Sequence, residues 1–325
     1  MSSSIEEIII KATGCHKAEK IETIQTLWSG YGSIDRYRIN GGNIKSVVIK
    51  HVKLPERVNH PRGWNTDLSH NRKVKSYEVE TAWYRLYNGK TSNSCKTANC
   101  LALESIGDET VIVMEDLDAT GFNIRKSSVK LPDIHLVLSW LANFHALFMM
   151  QSPKDLWEIG TYWHLKTRPE ELEALKEGEL KEFAHRVDET LNSCKYQTLV
   201  HGDAKLANFC FSEDGVAAVD FQYIGGGCGM KDVAYFIGSC LYEEDCERYE
   251  EELLGFYFKS LTSTLKSRPE IESNEVVKEW KKMYRVGWAD FHRFLKGWSP
   301  DHWKINSYSE RVSREVISDL KVGKV

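Results

Sequence analysis

The sequence predicts an α+β protein of two unlike lobes: a small first lobe with an antiparallel sheet plus a helix, and a larger, mostly helical second lobe. Three observations lead to this prediction. Short strand-like pieces separated by turn residues fill the chain up to about residue 115. Long amphipathic stretches dominate from Asp116 onward. No internal repeat relates the two parts, so we interpret them as domains 1–115 and 116–325, with the cleft between them as the expected binding site.

Composition and charge narrow the classes of function. The 325 residues include 43 Lys and Arg against 47 Asp and Glu, a formal net charge of −4, which predicts no sequence-independent binding of nucleic acid. No apolar run approaches the roughly 18 residues that span a bilayer, so we expect no membrane insertion. The N-terminal segment lacks the basic-then-apolar order of a secretory signal, and a cytoplasmic location is therefore expected. These patterns leave the oligomeric state open.

The first lobe opens with a capping box, Ser4-Ile5-Glu6-Glu7, which predicts a short helix. β-branched and aromatic pieces between turn signals then predict five strands, at 26–28, 36–39, 44–50, 98–105 and 110–115. The stretch 53–70 contains Pro and Gly without periodicity and predicts a loop, which leads into a helix at about 72–88. A local basic excess at 51–75 indicates either a solvated loop or a flap that closes over an anion.

The second lobe is predicted to be mostly helical. Amphipathic periodicity predicts helices at 132–150, 169–192, 243–266, 274–296 and 307–321, and only 197–201, 207–211 and 215–219 resemble strands. A spacing of four residues at Trp280, Tyr284 and Trp288 indicates a buried stripe on one helix. Further C-terminal rings follow at Phe291, Trp298 and Trp303. Most of the aromatic rings of this region are expected in the core, and a minority, which the sequence does not identify, could line an acceptor pocket that is either flat and apolar or a cation-π cage for an ammonium group.

The stretch 199–222 holds most of the residues that could carry chemistry. A His-Gly-Asp triplet ends at Asp203, Asn208 follows five residues later, and Asp220 ends an apolar strand. A hydroxyl that attacks a phosphate needs a carboxylate to orient it and take its proton, together with oxygen ligands for a bridging Mg²⁺. Asp203 suits the first role. Asn208 and Asp220 suit the second, since the turn at 212–215 would bring their strands to a common metal position.

This spacing, His-Gly-Asp-x-x-x-x-Asn followed by Asp-Phe, resembles the catalytic and metal loops of the aminoglycoside phosphotransferase and choline kinase superfamily, itself similar to protein kinases. Nearly the whole chain resembles the ecdysteroid-kinase-like, choline-kinase-like branch of small-molecule kinases, including its motifs at 141–146 and 232–234. The resemblance implies a bilobal protein-kinase-like fold. It also implies transfer of the γ-phosphoryl group of ATP to a hydroxyl of a small molecule, with Mg²⁺ as the metal.

For individual residues, the resemblance implies that Asp203 is the catalytic base and that Asn208 and Asp220 are Mg²⁺ ligands. Lys205 matches the loop lysine of protein kinases and is expected to neutralise charge on the transferring phosphoryl group. Two other residues in the matching motifs are interpreted as structural. His145 is expected to be a core histidine, and Asp232 is expected to form hydrogen bonds with the catalytic-loop backbone.

The nucleotide would be held by residues of the first lobe. Lys50 ends a Val-Val-Ile-Lys strand that resembles the one whose lysine grips the α and β phosphates. Its expected partner is a helix carboxylate, and the pattern of the family selects Glu80 over Glu78.

Two backbone segments complete this predicted nucleotide site. Ser29, Gly30 and Gly32 occupy the place of the glycine-rich phosphate loop, although their segment departs from Gly-x-Gly-x-x-Gly. The segment from Glu115 to Leu117 matches the linker between lobes, whose backbone groups pair with adenine.

Two other functions remain open on sequence grounds. A protein kinase is the first alternative, but nothing like the Ala-Pro-Glu that ends an activation segment follows Asp220. A nucleotide-binding pseudokinase or scaffold is the second, and it would be expected to lack one of four residues that are all present, Lys50, Asp203, Asn208 or Asp220. The identity of the hydroxyl acceptor is not predicted, because helix packing shapes its pocket.

Overall fold

The computed structural model describes residues 4–27, 30–53 and 67–325, which fall into two compact units. The first unit is drawn from residues 1–92, 96–124 and 210–219, and the second from 93–95, 125–209 and 220–325. The first unit is thus built mainly from the N-terminal third of the chain, and the second contains most of the helices.

An antiparallel sheet is the framework of the first unit. The strands between residues 17 and 115 are β1 (Lys17–Thr26), β2 (Gly32–Asn40), β3 (Ser46–Val52), β4 (Lys96–Thr97), β5 (Cys100–Ile106) and β6 (Glu109–Glu115). All except β4 form one sheet in the order β1-β2-β3-β6-β5, in which every neighbouring pair is antiparallel. The predicted five-stranded sheet is therefore confirmed.

Helix α1 (Ile5–Thr13) covers one face of this sheet. The predicted capping box is present: the Ser4 hydroxyl accepts from the Glu7 amide at 3.2 Å, and the Ser4 amide donates to the Glu7 carboxylate at 2.9 Å. Ile8 and Ile9 of α1 are buried in a cluster that also contains Val47 and Ile49 of β3. Because side chains alternate along a strand, Lys50 projects from the opposite face of β3.

Helix α2 (Asp67–Leu86) is the second helix of this unit. It begins within the predicted loop 53–70, so the prediction of a loop is wrong for the last four of those residues, and residues 54–66 lie outside the described part of the chain. The first strand was also predicted wrongly. Strand β1 runs from Lys17 to Thr26, whereas the sequence predicted only 26–28, because β1 is an exposed edge strand without a clear apolar alternation.

The second unit is mostly helical, as predicted. Its helices are α3 (Leu131–Leu147), α4 (Pro169–Ala174), α5 (Glu179–Glu182), α6 (Ala184–Asn192), α7 (Met230–Cys240), α8 (Glu243–Leu265), α9 (Ser273–Trp298) and α10 (Ser307–Lys321). The predicted helix at 169–192 is instead three short helices. Gly178, with φ of 150°, interrupts the helical backbone between α4 and α5. Within the described ranges, no helix combines the length and apolarity needed to traverse a bilayer.

Four short strands lie between α6 and α7: β7 (Thr198–Val200), β8 (Phe209–Phe211), β9 (Val216–Ala218) and β10 (Gly225–Gly227). The three strands predicted here are confirmed with shorter bounds, and β10 was not predicted because its three glycines carry no side-chain signal. Strand β7 pairs with β10, and β4, β9 and β8 form a second small sheet. The segment between β7 and β8 contains the His-Gly-Asp triplet.

Candidate active site

The turn after β7 is made possible by Gly202. This residue has φ of 80°, in the left-handed region, and a Cβ atom on it would lie 2.0 Å from the backbone oxygen of Tyr223. Glycine is therefore the residue that fits, on grounds of both conformation and space. The turn directs the chain from the buried end of β7 to Asp203.

The same turn is anchored by Asp232 of α7. The Asp232 carboxylate accepts from the amide of His201 at 2.6 Å and from the amide of Gly202 at 3.0 Å. A ring nitrogen of His145 lies 3.2 Å from the same carboxylate, and its other ring nitrogen lies 2.8 Å from the hydroxyl of Tyr257. His145 and Asp232 are both fully buried, so their interpretation as structural residues of the catalytic loop is supported.

Asp203 is buried, and its two carboxylate oxygens accept hydrogen bonds from different groups. Oδ2 accepts from the ammonium of Lys205 at 2.8 Å and from the side-chain amide of Asn208 at 3.0 Å. Oδ1 accepts from the hydroxyl of Tyr235 at 3.1 Å, and that hydroxyl lies 3.3 Å from the hydroxyl of Tyr162. The carboxylate is thereby held in one orientation while it remains a potential proton acceptor.

The surroundings of Asp203 raise its pKa above that of an exposed aspartate. Burial raises the pKa of Asp203, the negative charge of Asp220 raises it further, and the Lys205 ammonium partly offsets both. For Lys205, burial alone would lower the pKa, but the charges of Asp203 and Asp220 outweigh burial and raise it. Lys205 is consequently a persistent positive charge beside the carboxylate.

The two predicted metal ligands lie on either side of the β8–β9 hairpin. Asn208 donates both of its side-chain amide hydrogens to Asp203, one to the backbone oxygen at 2.8 Å and one to Oδ2. The acceptors fix the orientation of the amide, so its Oδ1 is available as a cation ligand. Asp220 has φ of 67°, an unusual conformation for a residue other than glycine, and its charge acts on both Asp203 and Lys205.

These donors match the ligand preference of Mg²⁺. Asp220 supplies a carboxylate and Asn208 an amide oxygen, which are hard ligands of the type that Mg²⁺ selects, and water or phosphate oxygens usually complete its coordination. No group of three or more His, Cys, Asp or Glu side chains in metal-binding proximity occurs in the described ranges. A metal that arrives with a phosphate substrate needs few protein ligands, so the predicted pair would be sufficient for such a metal.

In the first unit, Lys50 and Glu80 form a buried ion pair. The Lys50 ammonium of β3 lies 2.5 Å from the Glu80 carboxylate of α2, and the two side chains are only 4% and 2% exposed. Glu78, the other candidate partner, is exposed and lies 3.4 Å from Lys75 instead. The predicted choice of Glu80 over Glu78 as the partner of Lys50 therefore agrees with the contacts.

The predicted phosphate loop is described only in part. Ser29 lies outside the described residues. Gly30 is exposed with φ of 77°, and open space surrounds the position of a Cβ atom. Gly32 begins β2 with φ of 124°, where a Cβ atom would lie 1.9 Å from the backbone oxygen of His51, so the close approach of β3 already requires glycine there.

The predicted adenine linker begins at the end of β6. The Glu115 carboxylate is bound by the Lys96 ammonium at 2.7 Å, which fixes this strand end. The neighbouring Asp116 is buried and accepts from Arg36 at 2.9 Å and from the Ser46 hydroxyl at 2.6 Å. The backbone N–H of Leu117 has no hydrogen-bond partner among residues that the structure describes. It is a donor that a ligand could use.

A cavity of about 420 Å³ lies in the second unit. Lys205, Tyr162 and Tyr235, which are all in or next to the Asp203 cluster, contribute to its lining. Aromatic rings form much of the rest, and they come from α9 and the segment after it: Phe291, Trp298 and Trp303. Trp280, Tyr284 and Trp288 are buried, as the spacing of four residues predicted.

Three contributors to this site were missed by sequence analysis. Tyr235 donates to the Asp203 carboxylate, Tyr162 contacts the Tyr235 hydroxyl, and Lys304 lies in the cavity wall. Tyr235 follows Asp232 by three residues on α7, which is the spacing that places two side chains on neighbouring positions of a helix face. That spacing is the one local signal that could have indicated Tyr235. Tyr162 and Lys304 reach the site through tertiary packing.

Comparison with known sequences identifies one family. A model of the ecdysteroid kinase-like family matches residues 70–157 and 156–269 of the chain. No curated protein matches the chain at a significant level of sequence similarity.

Solved kinases resemble the chain in structure. A choline kinase from Cryptosporidium parvum Iowa II has a TM-score of 0.54 at 11% identity, with 94% of this chain and 89% of that chain covered. Amicoumacin kinase, solved in complex with AMP-PNP and Ca²⁺, has a TM-score of 0.50 at 12% identity, with 98% and 94% covered. Identities this low establish the fold alone, and the predicted protein-kinase-like fold class is confirmed.

Proposed function

The chain belongs to the ecdysteroid kinase-like family, and on that premise we propose that it transfers the γ-phosphoryl group of ATP to a hydroxyl of a small molecule, with Mg²⁺. The observation that carries the proposal is the buried Asp203 carboxylate. Asn208 and Lys205 bind one of its oxygens, Tyr235 binds the other, and a cavity wide enough for a small organic molecule borders the cluster. The raised pKa of Asp203 suits a group that must accept a proton near neutral pH.

In the proposed reaction, the acceptor hydroxyl donates a hydrogen bond to the Asp203 carboxylate. Its oxygen forms a bond to the γ-phosphorus, the bond between that phosphorus and the β–γ bridging oxygen breaks, and the electron pair of the broken bond stays on the β-phosphate of ADP. The hydroxyl proton passes to Asp203, which releases it after the product leaves. The Lys205 ammonium offsets the charge that spreads over the transferring group.

The remaining predicted residues would bind the nucleotide. Asp220 and the Oδ1 of Asn208 would hold Mg²⁺, which when bound neutralises charge on the phosphate oxygens. Lys50, oriented by Glu80, would bind the α and β phosphates. The backbone N–H of Leu117 would donate to adenine.

A small acceptor is favoured over a protein substrate by the segment after Asp220. Helix α7 begins at Met230, and its residues from Met230 to Gly238 are all buried. A protein kinase uses the segment after its metal-binding aspartate as an exposed platform for the substrate peptide. A buried helix so soon after Asp220 is unsuited to that use.

The proposal is tested by Mg²⁺-dependent ADP release across a panel of amino alcohols, aminoglycosides, sugars, sterols and hydroxy acids. We expect release with at least one compound, and a loss of at least about a hundredfold in kcat for Asp203→Asn with the ATP affinity and melting temperature preserved. Asp301→Asn, at an exposed position, is the matched control. Turnover by Asp203→Asn within about threefold of the wild type would exclude an essential base. Tight ATP binding without any ADP release would instead favour the pseudokinase.

A further inference from the structure

The charged side chains that line the cavity beside Asp203 are lysines. Its lining includes three lysines, Lys126, Lys205 and Lys304, and none of the described residues that line it is Asp or Glu. Cationic ligands are normally bound by carboxylates or by free aromatic faces. The lining of this cavity therefore disfavours an acceptor with a positive charge.

Two of the three lysines have an acidic partner, and the third, Lys304, has none among the residues that the structure describes. Lys126 lies 2.6 Å from the Asp133 carboxylate, and Lys205 lies 2.8 Å from Asp203. The Lys304 ammonium makes no hydrogen bond or ion pair with any residue that the structure describes. It lies instead over aromatic rings, 5.1 Å from the centre of Tyr235 and 5.4 Å from that of Phe291.

This surrounding is a poor substitute for water or an anion. Burial lowers the pKa of Lys304 to about 8, so its charged form is destabilised yet still predominates at neutral pH. An anion beside the ammonium would compensate its lost hydration with a charge-assisted hydrogen bond. The lysine is thus prepared for a negatively charged ligand group.

The aromatic walls complete the description of the ligand. Because Lys304 already occupies the faces of Tyr235 and Phe291, and lies 5.6 Å from the ring of Trp303, an ammonium ligand there would meet a like charge. Trp298 and Trp303 remain 36% and 47% exposed, although they line the cavity. Large exposed rings of this kind suit contact with a flat apolar body.

We propose that the acceptor of this kinase is an alcohol that carries an acidic group on an apolar or aromatic body, and that Lys304 binds the acidic group. The inference rests on the proposed function for the alcohol, but the acid preference follows from the cavity alone. Tyr235 contacts both Asp203 and Lys304, since its hydroxyl donates to Asp203 while its ring lies against the Lys304 ammonium. One ligand can therefore present its hydroxyl to Asp203 and its acidic group to Lys304.

A binding experiment tests the acid preference without any need for catalysis. The probes are 2-naphthoate, its methyl ester and 2-naphthylmethylammonium, titrated by tryptophan fluorescence and calorimetry in the presence of saturating ADP and Mg²⁺. We expect naphthoate to bind at least about tenfold more tightly than either counterpart. Lys304→Met should remove this preference, and Lys282→Met, which deletes an exposed lysine of α9, should retain it.

Several results would overturn the inference. These are equal affinity for the three probes, a preference for the ammonium, undetectable binding of naphthoate, or an unchanged preference in Lys304→Met. Displacement of naphthoate by ADP would also overturn it, because Lys304 would then serve the nucleotide phosphates.

A kinetic experiment separates this inference from the proposed function. With 6-(hydroxymethyl)-2-naphthoate and its methyl ester as acceptors, we expect KM to be at least about tenfold lower for the acid, with the difference lost in Lys304→Met. ADP release that favours the ester would overturn the proposed acid preference and still support the proposed kinase activity. Acid-selective binding without ADP release from any acceptor would support the acid site and count against the kinase.

Discussion

The hydrogen-bond donors around Asp203 and its burial have opposite effects on the pKa of its carboxyl group. Burial and the charge of Asp220 raise the pKa of this carboxyl group, whereas hydrogen bonds from Lys205, Asn208 and Tyr235 stabilise the ionised form. Lys205 and Asn208 both bind Oδ2, so the hydroxyl of Tyr235 is the donor that orients Oδ1. The Tyr235 hydroxyl is a positioning group in this arrangement, since it would act on a reacting hydroxyl through Asp203.

The first prediction concerns this positioning role. In Tyr235→Phe the ionised form of Asp203 loses a donor, so its pKa should rise, and the pH at which kcat falls on acidification should move upward. We expect a decrease in kcat of about tenfold at neutral pH and a small effect on the KM for ATP. The measurement is the pH profile of kcat in both proteins. An unshifted acid limb with unchanged kcat would show that the tyrosine only packs the core.

The second prediction concerns the metal ligands. ATP affinity measured by calorimetry should depend strongly on Mg²⁺, and Asp220→Ala should weaken it more than Asn208→Ala, because a carboxylate holds a hard cation better than an amide oxygen does. In the absence of Mg²⁺, the wild type and both variants should bind ATP with similar, low affinity. An ATP affinity that is the same with and without Mg²⁺ would contradict the proposed metal site.

At the scale of residues, local sequence motifs predict only part of the candidate site. Asp203 and Asn208 are five positions apart in one loop, so their relation is set by local backbone and can be predicted from spacing. Tyr162 and Lys304 line the same cavity as residues of this loop, although they are far from it in the sequence, so their positions depend on tertiary packing. No single-sequence pattern encodes such a relation, which is why the charge of this cavity was not predicted.

At the scale of elements, the catalytic loop depends on the meeting of β7 with α7. Asp232, in the first turn of α7, accepts from two successive backbone amides that follow β7. These two hydrogen bonds hold the turn in place. The backbone oxygen of Tyr223 also occupies the space beside Gly202, so the turn has no room to adjust. The Asp232 carboxylate and the backbone of Tyr223 therefore hold the loop in this conformation.

The third prediction follows from that crowding. Gly202→Ala combines a left-handed φ with a backbone contact at 2.0 Å, so it should lower the free energy of unfolding by more than about 2 kcal/mol. Gly255→Ala in α8 is the control, because open space surrounds its Cβ position and alanine should stabilise that helix by roughly 0.5–1 kcal/mol. Urea unfolding measures both. Equal stability of the two variants would refute the account of the turn.

The elements themselves were predicted where their periodicity is complete. Helix α10 has the predicted bounds, Ser307–Lys321, because its apolar face is regular and Asn306 caps it. Strand β1 was missed because Ile21 and Ile24 are exposed among charged neighbours, so tertiary pairing with β2 determines its conformation. The segment Cys210–Val219 packs with the first unit although it follows the catalytic motif, a relation that only the folded chain reveals.

At the scale of the whole molecule, the second unit is organised around the 26-residue helix α9. This helix contacts α4, α6, α7, α8 and α10, and nearly every residue from Met283 to Leu295 on it is buried. One of them is His292, whose two ring nitrogens lack hydrogen-bond partners within the described residues. The Glu310 carboxylate of α10 lies 3.6 Å from its ring.

The last prediction links His292 to the stability of the molecule in acid. Burial lowers its pKa from 6.5 to about 4, the nearby charge of Lys296 adds to this effect, and the charge of Glu310 only partly opposes them. The neutral imidazole is therefore the form that the fold favours, and its stabilising contribution is complete above the unfolded pKa of 6.5. As the pH falls from about 6.5 towards 4, the unfolded state binds a proton that the folded state resists, and up to roughly 3 kcal/mol should be lost from the free energy of unfolding.

The measurement is urea unfolding at a series of pH values, with His292→Gln compared with His185→Gln at an exposed position of α6. We expect the glutamine at 292 to lower stability at pH 7 and to flatten its acid dependence in this window, whereas the exposed variant should follow the wild type. If both variants lose stability with the same slope as the wild type, another group must govern the acid sensitivity.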